Sequence, residues 1–159
     1  MASLTTALTT EITVAYLHFV ALIGTASFLV AEAVLCRPDV QGAALHRLKS
    51  VDVGYFSFAI AALLTGAMRV FWGAKGSAYY LANPVFHTKI GLFVAIALLS
   101  IVPTRCFIQW SKAARADPRH APDAQSLRRV RNVLRLELIL LAALPLLATS
   151  MAHGISSLR

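Results

Sequence analysis

Residues 83–93 read NPVFHTKIGLF, which sets His87 and Lys89 just after a proline at the head of a long apolar run. His18, Arg69 and His153 stand in comparable places elsewhere in the chain. Hydrocarbon stabilises none of these side chains, so ionisable groups in membrane spans face the protein interior or a cavity. Imidazole is a general axial ligand for haem iron, and two imidazoles from facing helices make a low-spin b-type site. Arg69 or Lys89 would then neutralise haem propionates near the water interface. Three histidines also suit a zinc or copper ion, and imidazole titrates near neutrality, which suits proton transfer. The residue types leave all three chemistries open.

The elements that must position these groups are written in the apolar content. Hydrophobic residues make up 58% of the 159, and mean hydropathy is +0.69, beyond what a soluble domain of this size carries. Four apolar stretches stand out at about 12–36, 51–72, 84–108 and 133–152. Each is long enough, at about 1.5 Å per residue, to cross roughly 30 Å of hydrocarbon. They are too continuous for tilted barrel strands. The expected fold is all-α: a four-helix transmembrane bundle with up-down-up-down topology, formed by one domain over 1–159. The N-terminal MASLTTALTTE has no Lys or Arg, so the first span reads as an uncleaved helix rather than a secretory signal.

Charge then orients the bundle. The net charge is +8, and Arg105, Lys112, Arg115, Arg119, Arg128, Arg129, Arg131 and Arg135 all fall in or beside the third connection. Short loops rich in Lys and Arg stay in the cytoplasm. The first connection, with Arg37, Arg47 and Lys49, falls on the same side, and both termini and the second loop face outward. Beside membrane helices such a run means topology, not nucleic-acid binding. His18, Arg69, His87, Lys89 and His153 thereby converge in one outer layer. His87 and Lys89 are two residues apart, roughly 200° around a helix, so they point different ways. His46 and His120 lie on the cytoplasmic side, in segments that read as solvated loops.

Other features read as architecture. Trp72, Tyr79 and Tyr80 resemble an outer aromatic belt, and Trp110 an inner one. Pro103 and Pro145 can kink the third and fourth helices. Cys36 and Cys106 at the cytoplasmic helix ends read as small apolar fillers rather than a disulfide. Gly24, Gly54, Gly66 and Gly91 permit close helix association, including a homodimer. The polar set Glu32, Asp52, Arg105, Arg135 and Glu137 reads as ion pairing, with Glu32 or Glu137 against Arg105 or Arg135. Glu32 shares a helix face with His18, about 21 Å further along, so a polar path across the first helix is also conceivable.

The runs YLHFVALIGTASFLVAEAVL, RVFWGAKGSAYYLANPVFHTKIGLFVAIALLSIVPTRCFIQW and LRRVRNVLRLELILLAALPLLATSMAHGI resemble a bacterial family of four-helix membrane proteins of unknown function. A His in the first helix and an HxK start to the third are distantly similar to HemJ-like membrane protoporphyrinogen oxidases. That likeness implies haem b and gives weight to His18, His87 and Lys89. The resulting expectation is a small b-type cytochrome of the bacterial inner membrane, multi-pass, with periplasmic termini and haem in the outer half. His18 and His87 are the expected axial ligands to haem iron, His153 a reserve ligand, and Arg69 and Lys89 propionate or substrate contacts. A quinone or another membrane redox protein is the expected partner besides lipid. If catalytic, the protein is a membrane oxidoreductase with Lys89 and Arg69 gripping substrate. The competing expectation is a non-redox accessory or structural subunit, or a zinc, copper or proton-handling protein.

Overall fold

The structure, a computed structural model, describes residues 2–72 and 76–152. Its helices are α1 (Ala2–Leu35), α2 (Ala43–Trp72), α3 (Gly76–Leu81), α4 (Pro84–Leu99), α5 (Ile101–Ala116) and α6 (Ala124–Ala152), and no strand occurs among the described residues. α4 and α5 are two halves of one span. Ser100 alone separates them, with a still-helical φ of −61° and ψ of −18°. Pro103 has no N–H to offer the Leu99 carbonyl, and this missing bond interrupts the span at Ser100. Pro145 is accommodated inside α6. Four segments of the described chain are long and apolar enough to cross a membrane: Leu8–Leu35, Ala43–Phe71, Pro84–Ala116 and Ala124–Thr149. The protein is a four-helix bundle.

Lipid-facing surface supports that reading. Ile23, Phe71, Leu98, Ile139 and Leu146 expose 62–71% of their surface, which water would penalise and acyl chains would not. The helices nevertheless outrun the apolar stretches at the end carrying the basic loops, here called the basic end. α2 begins at Ala43, so Leu45, His46 and Leu48 belong to it rather than to a loop. α5 runs to Ala116 and α6 starts at Ala124, which shortens the third connection to seven residues, 117–123. The cause is the soluble-like apolar core at this end. Leu45, Leu48, Phe107, Trp110, Leu127, Val130 and Leu134 are buried together there with Cys36 and Val40. Trp110 is thus a core residue against Phe107, with ring centroids 5.8 Å apart, and not part of an aromatic belt.

The two basic-end loops dock on each other. Gly42, at φ 55°, donates its N–H to the His120 carbonyl at 3.0 Å, and a Cβ there would come within 2.5 Å of the Pro118 carbonyl oxygen. Only glycine combines that left-handed backbone with that approach. Both loops therefore sit at one end, as alternating spans require.

α1 packs most extensively on α2, through a reciprocal glycine lock. The Phe58 ring of α2 lies over Gly24 of α1, and the Phe28 ring of α1 lies over Gly54 of α2. The two rings stack with centroids 5.5 Å apart. Away from the basic end, α4 packs chiefly on α6, while α2 meets the third span through α5. The opposite end of the bundle is consequently built from two helix pairs, α1–α2 and α4–α6.

Candidate functional site

His18 lies half-buried on α1, against α2. A Cβ at Gly66 would sit 3.2 Å from its Cε1, so Gly66 makes room for the ring. Its Nδ1 is 3.0 Å from the Thr65 hydroxyl. That hydroxyl donates its single proton to the Ala61 carbonyl at 2.6 Å, which leaves a lone pair facing the ring. With the hydroxyl proton on Ala61, Nδ1 donates to Thr65 and the lone pair falls on Nε2; the Ala62 carbonyl is a further hydrogen-bond partner of the ring. A histidine held this way, with one ring N–H anchored to a neighbour, is oriented as metal-ligating histidines are.

Two cations share its layer. Arg69 on α2 and Lys89 on α4 are both close enough to His18 to interact with it electrostatically, and they interact with each other. Arg69 also places its guanidinium carbon 5.9 Å from the Phe19 ring centroid. Both side chains are half-buried. An ion pair between Arg37 and Asp39, at 3.9 Å, lies in the first loop. Two like charges and a histidine thus share one half-buried layer.

The helix entry explains how Lys89 gets there. Asn83 caps α4, its side-chain oxygen accepting from Val85 N at 2.9 Å, and Pro84 occupies the first turn, where its missing N–H costs nothing. His87 takes the other face. Its ring is exposed, its Nδ1 donates to the Asn83 carbonyl at 3.1 Å, and it packs edge-on to Phe86. The structure therefore brings together His18, Arg69 and Lys89, and turns His87 away from them. His153 lies outside the described residues. Among the described residues no three His, Cys, Asp or Glu side chains gather as a metal-ligand set.

Of the two histidines expected in solvated loops, His120 does lie in the 117–123 connection, half-buried, and His46 does not. His46 is half-buried on α2, its Nδ1 2.8 Å from the buried Ser111 hydroxyl, beside a shallow cleft of about 350 Å³ lined also by Lys49, Ser50, Val53 and Arg115. His120 contributes its carbonyl to the loop docking described above.

The second polar set departs furthest from expectation. Arg105 and Arg135 are exposed, whereas Glu32, Asp52 and Glu137 are 1%, 4% and 0% exposed. The carboxylates are therefore not paired with those arginines; they face one another and a set of hydroxyls. Ser100 Oγ is 2.7 Å from Glu137 Oε1 and 3.0 Å from the Tyr55 hydroxyl. Thr104 donates to Asp52 Oδ1 at 2.8 Å. Glu32 interacts electrostatically with both Asp52 and Glu137. The hydroxyl partners were the hidden part: Asp52 and Tyr55 lie one turn apart on α2, as do Ser100 and Thr104 around Pro103, and that pairing of turns is the one sequence signal for them.

A membrane-spanning four-helix bundle with one histidine–cation layer and one buried carboxylate group is thus defined. The chain belongs to the family described as "Predicted membrane protein (DUF2214)", whose model matches residues 10–156. No curated protein and no solved structure matches it.

Proposed function

We propose that the protein is a small membrane b-type cytochrome that binds haem b beside His18, in the half of the bundle away from the basic loops. The observation that carries this reading is the convergence of His18, Arg69 and Lys89 in one layer. A haem has one iron to ligate and two propionates to neutralise, and this layer offers one oriented imidazole and two cations. Haem, when bound, supplies one-electron redox chemistry. His18 would present Nε2 to the iron, with Thr65 against its Nδ1, and Arg69 and Lys89 would hold the propionates. His87 is not required as a ligand.

The Lys and Arg excess at the basic end supports an inner-membrane orientation with that end cytoplasmic and both termini periplasmic. A quinone or membrane redox protein would then exchange electrons from the periplasmic half. Porphyrinogen oxidation is the catalytic variant of the same site. It is favoured by one observation: His18 and Lys89, carried over from the likeness to HemJ-like oxidases, interact in the structure.

The test is an absorption spectrum of detergent-purified protein, produced with ample haem, before and after dithionite. A Soret band that moves on reduction is expected. A spectrum with no visible absorption would overturn the cytochrome reading and leave an accessory or structural subunit in front.

A further inference from the structure

Three of the seven side-chain carboxylates in this chain, Glu32, Asp52 and Glu137, are buried together, and among the described residues none of them forms an ion pair with a histidine or an arginine. Their depth is marked by their neighbours. Val34, Val53, Ile101 and Leu136 are exposed apolar side chains at the same level of α1, α2, α5 and α6, while exposed Arg105 and Arg135 lie just towards the basic end. The group therefore sits at the edge of the apolar belt, enclosed by all four spans. Glu32 Oε1 and Glu137 Oε2 are buried without any hydrogen-bond partner. Unpartnered carboxylate oxygens in such a place demand a ligand that carries positive charge. The described residues offer no metal-binding set there.

Proton counting identifies the ligand. Ser100 is the donor to two acceptors, the Ile96 carbonyl at 2.9 Å and Glu137 Oε1 at 2.7 Å, but a hydroxyl has one proton. With the Ser100 proton committed to Ile96 or Glu137, Tyr55, 3.0 Å away, is the donor of their contact, onto a lone pair of the Ser100 oxygen. The three short contacts need three protons, and Tyr55 and Ser100 supply two. A carboxylic acid at Glu137 supplies the third and satisfies every oxygen around Ser100.

We propose that Glu32, Asp52 and Glu137 form a proton-binding site, with Glu137 the principal carrier and Ser100 the hub that orients it. The inference stands apart from haem binding. The groups facing the site are Glu32 and Cys36 from α1, Asp52 and Tyr55 from α2, Ser100 and Thr104 from the third span, and Glu137 from α6, with Arg131 acting on Cys36. Glu32, facing both other carboxylates with an empty oxygen, is the second station.

The experiment is infrared spectroscopy of the full-length protein in lipid nanodiscs at neutral pH, in H₂O and D₂O, with Glu137→Gln and Glu32→Gln. The expected result is a protonated-carboxyl C=O band that shifts in D₂O and is lost in Glu137→Gln. That variant should also keep its thermal stability, because the amide N–H₂ donates to Ser100 as the acid does. Absence of any protonated-carboxyl band from the wild-type protein would overturn the proposal whether or not the variants fold. A band that survives unchanged in both variants would overturn it equally.

Discussion

A purified His18→Ala variant is expected to be a folded but colourless bundle. The ring is half-buried, and of its hydrogen-bond partners the Thr65 hydroxyl keeps its bond to Ala61 and the Ala62 carbonyl its contact with the Thr65 hydroxyl, so the loss of His18 strands neither. Most of the buried apolar core lies at the basic end, far from this layer. The whole effect should therefore fall on iron ligation, with near-complete loss of the Soret band. Arg69→Ala and Lys89→Ala act on carboxylates, so they should weaken haem retention without moving the band. Thr65→Val frees Nδ1 and should lower affinity by roughly 10–100-fold, the usual cost of removing a ligand's anchoring partner. His87→Ala should retain haem, because its ring faces away from the site. A His18→Ala protein as red as wild type would exclude His18 as the ligand.

The second large effect concerns the helix pair that carries His18. A Cβ at Gly24 would lie 2.2 Å from the Phe58 ring, and one at Gly54 would lie 2.3 Å from Phe28. Neither ring can yield without disturbing the other, because they stack. Gly24→Ala is expected to destabilise the protein by about 1–3 kcal/mol, as overpacking of a filled interface does. Phe58→Ala alone should cost about 3–5 kcal/mol. The double variant Gly24→Ala/Phe58→Ala should cost no more than Phe58→Ala, since the new methyl then occupies the vacated space. Denaturant unfolding in detergent measures this, and strictly additive losses would contradict the lock.

Much of the architecture was legible because burial in lipid selects continuous apolar runs, which need no tertiary information to recognise. Helix ends were not. Leu45, Trp110, Leu127 and Val130 continue the helices past the apolar belt with charged residues on their outer faces, so the sequence there looks polar while the helix goes on. The histidine–cation layer was legible as a layer, from where each span begins. Which members meet depends on helix rotation: His87 and Lys89 diverge by roughly 200°, and only the packing of α4 decides that Lys89 turns inward. Helix rotation also decides the carboxylates' partners. Arg135 and Glu137 are also two apart and take opposite faces, so the nearest cation in sequence is unavailable and the hydroxyls of Ser100 and Thr104 take its place.

The central claim is that the His18 layer holds haem. Its most direct test is the iron and extracted porphyrin content of protein purified from cells supplied with ample haem. The account predicts about one iron and one haem b per chain, both lost in His18→Ala. Protein that carries neither iron nor porphyrin would contradict it.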